Sequence, residues 1–209
     1  LRQGAGAMEE DIEVRVPKGV HLDIRVEHGD MTCRDTYGTL RVDSRSGDID
    51  AGDLEGTVEV ISAQGDVKIR NAKGARVDIE NKSGDILLNN IEGSISIRSS
   101  AGDVRLKDVG GSTISVETVS GDIDLDMNQP VEGNVNARTV SGDVLIDLAS
   151  GSNARVMLAS LSGSVSSRIE LDDEQRTEER ITGKIGSGDG TVDASAVSGD
   201  VRLSWRDHQ

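Results

Sequence analysis

A repeated aspartate is the residue whose type and spacing best suit a chemical site in this sequence of 209 residues. In nearly every repeat it follows a glycine and precedes an apolar residue. The aspartates concerned are Asp11, Asp30, Asp48, Asp66, Asp85, Asp103, Asp122, Asp143 and Asp200. Such a series of carboxylates would lie in a line if the repeats stack, and a line of carboxylates could bind cations.

Calcium is the cation to consider, because the calcium-binding repeats of β-rolls also space their carboxylates regularly. Those repeats are about nine residues long and glycine-rich, and calcium takes about six to eight oxygen ligands. This chain supplies one aspartate per corner, and Ser164 interrupts the series. We therefore predict that glycine adopts a positive-φ corner while aspartate hydrogen-bonds backbone amides of the turn, with calcium binding as the alternative.

Catalytic and metal-binding motifs are missing from the sequence. The histidines His21, His28 and His208 lack metal-ligand spacing. Gly186-Ser187-Gly188 lies in a glycine-rich return loop, without the strand–turn–helix context of a nucleophile elbow. We expect no catalytic residue, no metal site and no cofactor, and predict that the protein is not an enzyme.

Composition restricts the partners. The formal net charge of −15 argues against nucleic acid, which needs clustered lysine and arginine. The chain has no phenylalanine, one tyrosine (Tyr37) and one tryptophan (Trp205), so it offers few faces for stacking sugars or bases. No apolar run is long enough for a membrane helix. The single cysteine, Cys33, is predicted to face the core.

The elements that position these residues are set by a repeat. The repeat glycines, Gly29, Gly47, Gly65, Gly84, Gly102, Gly121, Gly142, Gly163 and Gly199, lie 18, 18, 19, 18, 19, 21, 21 and 36 residues apart. Each unit has apolar residues at alternate positions of two strands, such as Ile49 with Ala51 and Val58 with Val60. This predicts an all-β, single-domain parallel β-helix (β-solenoid) of about ten coils of 18–21 residues, with right-handed winding favoured.

The domain boundaries follow from the same pattern. Residues 1–10 are predicted to be a leader or disordered tail, 11–205 the solenoid, counted from a strand at Ile12, and 206–209 a tail. The charged run 170–180 begins an irregular insertion at about 170–190, expected to be a loop or short helix that protrudes from one enlarged coil. Trp205 is predicted to close the open end of the core.

Outward-facing positions are predicted to form charged ladders. Asp50 with Lys68, Arg105 with Asp124, and Lys107 with Asp126 should be neighbours on adjacent coils. A functional basic stripe at Lys68, Arg70, Arg105 and Lys107 is the alternative to an ordinary solvated face.

The repeat Ser83-Gly84-Asp85-Ile86-Leu87-Leu88 and the ending Val197-Ser198-Gly199-Asp200-Val201-Arg202-Leu203 resemble a bacterial family of adhesin-like proteins with β-strand repeats, a domain of unknown function. The resemblance covers roughly residues 10–205. It implies a parallel β-helix in a bacterial protein that is often membrane-anchored or exported, and it brings no catalytic residues.

Two functions follow as hypotheses. The first is a bacterial surface or envelope binding module, adhesin-like, that presents a sheet face or the 170–190 segment to an unknown protein or surface macromolecule. The second is a structural scaffold that self-associates through the solenoid ends, like a bactofilin. The expected location is extracytoplasmic, periplasmic or at the cell surface, with an anchor in a removed N-terminal segment.

Overall fold

A computed structural model describes residues 19–206, with the side chain of Ala75 excepted. These residues form sixteen strands of one continuous sheet and contain no helix. The strands are β1 (Val20–Val26), β2 (Met31–Ser44), β3 (Ile49–Ser62), β4 (Val67–Asn81), β5 (Ile86–Ala101), β6 (Val104–Gly110), β7 (Thr113–Ser120), β8 (Ile123–Met127), β9 (Asn134–Ser141), β10 (Val144–Leu148), β11 (Ala154–Ser162), β12 (Val165–Ser167), β13 (Asp172–Arg176), β14 (Arg180–Ile185), β15 (Gly190–Ser198) and β16 (Val201–Trp205).

The core consists of ladders of buried aliphatic side chains that run along the stack. Ile49 pairs with Val67 in the next coil, in the parallel register that the repeat predicts. Leu88 and Val104 are likewise fully buried. Because alternate residues of a strand point to the same face, each coil contributes its apolar set to one narrow interior. The predicted all-β solenoid of a single domain is confirmed.

Each N-terminal coil turns at three corners. The first is the Gly-Asp pair, the third is a glycine such as Gly56, and the second is an aspartate or asparagine with φ between 54° and 56°. The residues at this second corner are Asp35, Asp53, Asn71, Asn90 and Asp108. Between the second and third corners Leu54, Ala72 and Ile91 are buried and in register, which gives the coil a short third side.

The number of coils is smaller than predicted. The chain makes about seven turns rather than about ten. The predicted starting strand at Ile12 lies outside the described residues, as do the predicted tail at 1–10 and residues 207–209 of the tail predicted at 206–209. β15 and β16, which follow Gly163 in the chain, do not extend the stack in sequence order.

The last coil, formed by β15 and β16, lies inside the stack. β15 pairs with β9 on one side and with β11 on the other, all in parallel. β16 lies in the same way between β10 and β12. The prediction that Trp205 closes the end of the core is therefore wrong: Trp205 pairs with Leu148 in an internal coil and is 37% exposed.

The end of the stack is instead formed by the segment predicted as a loop or short helix. β13 and β14 form an antiparallel hairpin, and β14 pairs antiparallel with β11. Ile181 and Ile185 of β14 face the core, whereas every residue of β13 is exposed. Within residues 19–206, no helix has the length and apolar character needed to cross a membrane.

Candidate binding edge

The aspartates of the Gly-Asp corners, from Asp30 to Asp200, form a continuous column along one edge of the solenoid. In this aspartate column, one carboxylate oxygen of each residue accepts a hydrogen bond from the backbone N–H of the equivalent residue in the next coil. The donor–acceptor distances are 2.7 to 3.0 Å. The structural role predicted for the aspartates is confirmed, with one difference: the amide belongs to the neighbouring coil, so the column ties coils together.

Ser164 does not interrupt the column, contrary to the sequence prediction. Asp200, in the inserted coil, accepts the Ser164 amide at 2.9 Å, and the Asp200 amide donates to Asp143. Ser164 therefore lies at the end of the column, where no aspartate is needed to accept a further corner amide. The same hydrogen bond from Ser164 holds the pKa of Asp200 below its usual range.

Glycine is required at these corners because successive corners stack tightly. At Gly84, φ is +125°, and a Cβ atom would lie 2.2 Å from the carbonyl oxygen of Gly65. Such a contact is far inside van der Waals distance, and L-residues rarely adopt this φ. The corner therefore specifies glycine by both conformation and space.

The aspartate column does not bring its carboxylates together in a group that could hold a metal ion, in the part of the chain that the structure describes. Among residues 19–206, no group of three or more histidine, cysteine or acidic side chains could hold a metal ion. His21 and His28 are exposed, and His208 lies outside the described residues. Cys33 packs against the core and lies 3.0 Å from the Thr36 hydroxyl, as expected for an inward-facing cysteine.

An exposed apolar ridge runs beside the aspartate column. It consists of Val119, Val140, Val197 and Leu161, which are 52%, 45%, 44% and 66% exposed. Strand register places them at the same corner of four adjacent coils, in that order. At a strand spacing of about 4.8 Å, the apolar ridge is roughly 14 Å long.

The same corner position is polar or small in the N-terminal coils. It holds Arg45, Ala63, Lys82 and Ser100 there, as strand register shows. The fold therefore tolerates polar residues at this corner, and burial in the core does not explain the four apolar ones. Single exposed apolar residues need no explanation, but a contiguous exposed row is typical of an interaction surface.

A shallow depression of about 200 Å³ lies on the other side of the aspartate column, at the level of the apolar ridge. Its walls include Asp122, Asp143 and Asp200 of the column, together with Asp124 and Leu145 of the adjacent strand face. Arg105 and Arg202 also line it, and Arg202 pairs with Asp200 at 2.7 Å. The ridge, the three aspartates and the depression are thus parts of one edge of the solenoid, which we call the binding edge.

The charged ladders differ in detail from the sequence prediction. Asp50 and Lys68 are register neighbours as predicted, but Asp50 pairs with Arg34 and Arg70, at 3.2 and 2.5 Å. Lys68 lies 3.7 Å from Asp66.

The second predicted pair also differs. Arg105 is a register neighbour of Asp124, but its guanidinium contacts Asp103 at 2.8 Å. Three residues of the suggested basic stripe, Lys68, Arg70 and Arg105, thus contact carboxylates, as a solvated ion-pair face requires.

A cluster of acidic side chains lies on the strand face next to the depression. Burial and the nearby Asp147 raise the pKa of Asp124. Burial also raises the pKa of Asp126, although Arg206 opposes this effect. Arg206 lies with its Nε 3.2 Å from Asp126 and also contacts Asp108. Its backbone N–H donates to the Leu148 carbonyl, so Arg206, predicted as part of the 206–209 tail, is hydrogen-bonded to the solenoid.

The apolar ridge is the feature that sequence reasoning missed. Its signal is present in the repeat: the residue two positions before the corner glycine is valine or leucine in the last four repeats and polar or small in the earlier ones. The order along the ridge could not be inferred, because Val197 lies between Val140 and Leu161 only through insertion of the last coil.

A comparison with protein-family models gives one result. The family model described as Toastrack DUF4097 matches residues 5–204. Comparisons with curated proteins and with solved structures gave no match. The family has no established function, so the adhesin-like character and the envelope location stay predictions.

Proposed function

Because the chain belongs to the Toastrack DUF4097 family, which carries no known activity, we propose from its own surface that it is a non-enzymatic binding module. The partner is a protein or other surface macromolecule, and it docks on the binding edge. In keeping with the resemblance to bacterial adhesin-like repeats, we propose a location in the cell envelope, outside the cytoplasm.

The apolar ridge is the observation that carries this proposal. Four adjacent side chains, Val119, Val140, Val197 and Leu161, expose apolar surface at a corner where other coils use polar residues. A rigid stack presents them at fixed spacing, so a partner gains their burial without ordering a loop. The neighbouring carboxylates of Asp122 and Asp143 favour a partner whose apolar strip is bordered by basic residues, whereas Asp200 is already paired with Arg202.

The end-to-end scaffold remains the weaker alternative. The stack end formed by the hairpin has β13 as its outer strand, and each residue of its sequence Asp172-Asp173-Glu174-Gln175-Arg176 is exposed. Charged edge strands oppose pairing with another sheet. This feature disfavours the growth of a filament from that end and supports a binding role for the side of the solenoid.

Replacing the ridge with serine tests the proposal. In the variant Val119→Ser, Val140→Ser, Leu161→Ser and Val197→Ser, the fold should persist, because Ser100 occupies the same corner position. Each half-exposed side chain supplies roughly 1 kcal/mol when a partner covers it. The affinity for bacterial envelope preparations should therefore fall at least tenfold, since about 1.4 kcal/mol corresponds to a factor of ten.

The matched control changes the same corner column outside the ridge. The variant Arg45→Ser and Lys82→Ser should bind envelope preparations like the unmodified protein. Saturable binding of the fluorescently labelled protein is the measurement, with circular dichroism as the check on folding. Equal binding by the ridge variant and the unmodified protein would refute the proposed binding edge.

A further inference from the structure

The slot that holds the last coil is an interaction surface in its own right. On one face of the stack, β15 separates β9 from β11, and on the other face β16 separates β10 from β12. On each face the two flanking strands belong to consecutive repeats, yet β9 does not pair with β11 and β10 does not pair with β12. Without the last coil, four strand edges would present unpaired N–H and C=O groups.

The connection from β10 to β11 leaves room for this gap. Residues 149–153 lead from β10 to β11 and step past the level that β15 occupies. Ser152 fixes this connection: its hydroxyl donates to the Ala149 carbonyl and accepts the Val131 amide, at 2.7 and 3.0 Å. The Gly190 amide, at the start of β15, donates to the Asn153 carbonyl at 2.9 Å.

The segment in the slot is attached through one short linker. Residues 186–189 connect β14 to β15, and both Gly186 and Gly188 have positive φ, 58° and 72°. The segment itself, residues 190–205, buries Val192, Ala194, Val201 and Leu203 between the flanking coils. All these contacts are made by backbone ladders and side chains that every copy of the chain carries.

We propose that the same segment of a second copy fills this slot, so that two chains form a reciprocal dimer by exchange of residues 190–205. Exchange of an identical element conserves each contact of the monomer and changes only the linker. Each apolar ridge of such a dimer would carry Val197 from the other copy, so the binding edge would be shared between chains. The exchange does not depend on what the ridge binds.

Concentration during folding decides between the two forms. A segment tethered by a short flexible linker competes at an effective concentration of about 1 mM. Folding at micromolar concentration should therefore give the monomer, whereas folding near the millimolar range should trap the exchanged dimer. Once formed, the dimer separates only when the flanking coils release the segment from both sides.

A pair of engineered cysteines reports which chain fills the slot. Ser141 of β9 and Ser198 of β15 are register partners and both are exposed. In the full-length chain with Cys33→Ser, the variant Ser141→Cys and Ser198→Cys is unfolded and then refolded at about 1 µM or about 1 mM. Both samples are diluted before a short bis-maleimide is added, and the products are separated on a denaturing gel.

The control pair is Ser120→Cys with Ser141→Cys, which joins β7 to β9, two strands in sequence order. We expect the reporter pair to give an intrachain product after dilute refolding. After concentrated refolding it should give a covalent dimer at least tenfold more abundant than that of the control pair. Equal dimer fractions for the reporter and control pairs at both concentrations would overturn the proposal.

Discussion

Leu203 lies near the end of the chain, and its substitution by alanine distinguishes an internal last coil from a terminal one. In a solenoid that adds coils in sequence order, β16 would be a terminal strand with little packing on one side. In the structure, Leu203 is 1% exposed, pairs with Ile146 of β10 on one side, and pairs with Ser167 of β12 on the other. Its side chain therefore has the environment of a fully buried core residue.

The expected loss in the free energy of unfolding can be estimated from this burial. Alanine removes three carbon atoms, which corresponds to roughly 2.4 kcal/mol of lost transfer free energy. The cavity left behind adds to this, because neighbouring coils joined by backbone ladders relax only in part, so the free energy of unfolding should fall by about 3 to 4 kcal/mol. The matched control is Leu22→Ala in the half-buried strand β1, which should cost roughly 1 kcal/mol.

Urea denaturation provides the assay, since the chain has its own local reporter. Trp205, the single tryptophan, is part of β16. If the last coil is internal, Trp205 fluorescence and far-UV circular dichroism should change at the same urea concentration. Fraying of Trp205 at lower urea, together with a loss for Leu203→Ala no larger than that for Leu22→Ala, would refute the reasoning.

Three further predictions concern the aspartate column and its surroundings. Gly84→Ala should destabilise the protein by several kcal/mol in thermal unfolding, because of the clash with the Gly65 carbonyl and roughly 1–3 kcal/mol of backbone strain; wild-type stability would contradict this. Asp124→Asn should raise the free energy of unfolding at neutral pH, because the folded environment of Asp124 favours the protonated carboxyl. This gain should disappear as the pH falls through the raised pKa of Asp124 towards its ordinary value of 3.8. A gain that is independent of pH would exclude the stated cause. The melting temperature should be the same in calcium and in EDTA, since the column carboxylates accept backbone amides, and a calcium-dependent increase would restore the calcium hypothesis.

The repeated part of the fold could be predicted from sequence because its determinants are local. Apolar alternation after each Gly-Asp pair fixes which side chains face the core, and equal spacing fixes the register. Thus Ile49, Val67 and Ile86 form the expected ladder. Differences of one residue in period are absorbed near the glycine corner, at the register shifts between Glu55 and Thr57 and between Lys73 and Ala75.

The spatial order of the last coils could not be predicted, because it depends on which strand edges pair rather than on local pattern. β15 and β16 carry the same alternation as every other coil and would fit at the end as well as in the middle. Ser164 is the one sequence signal of this order, since a corner without aspartate suits the end of the aspartate column. The hairpin was missed because the charged residues of β13 show no alternation.

The candidate binding edge was predictable only in part. The line of aspartates and its structural role followed from the repeat and from the turn chemistry of Gly-Asp. Predicting the apolar ridge needs two pieces of information. The side chain before each Ser-Gly corner points outward, and Val197 lies next to Val140. The first follows from alternation, whereas the second depends on the inserted coil.

Photo-crosslinking from the ridge tests the proposed function most directly. A photoreactive benzoylphenylalanine is placed at position 140, in the middle of the apolar ridge, or at position 82, at the same corner four coils away from Val197 in the stack. In intact bacterial cells, we predict a discrete crosslinked adduct from position 140 and none from position 82. No adduct from position 140, or equal adducts from both positions, would contradict binding at this edge.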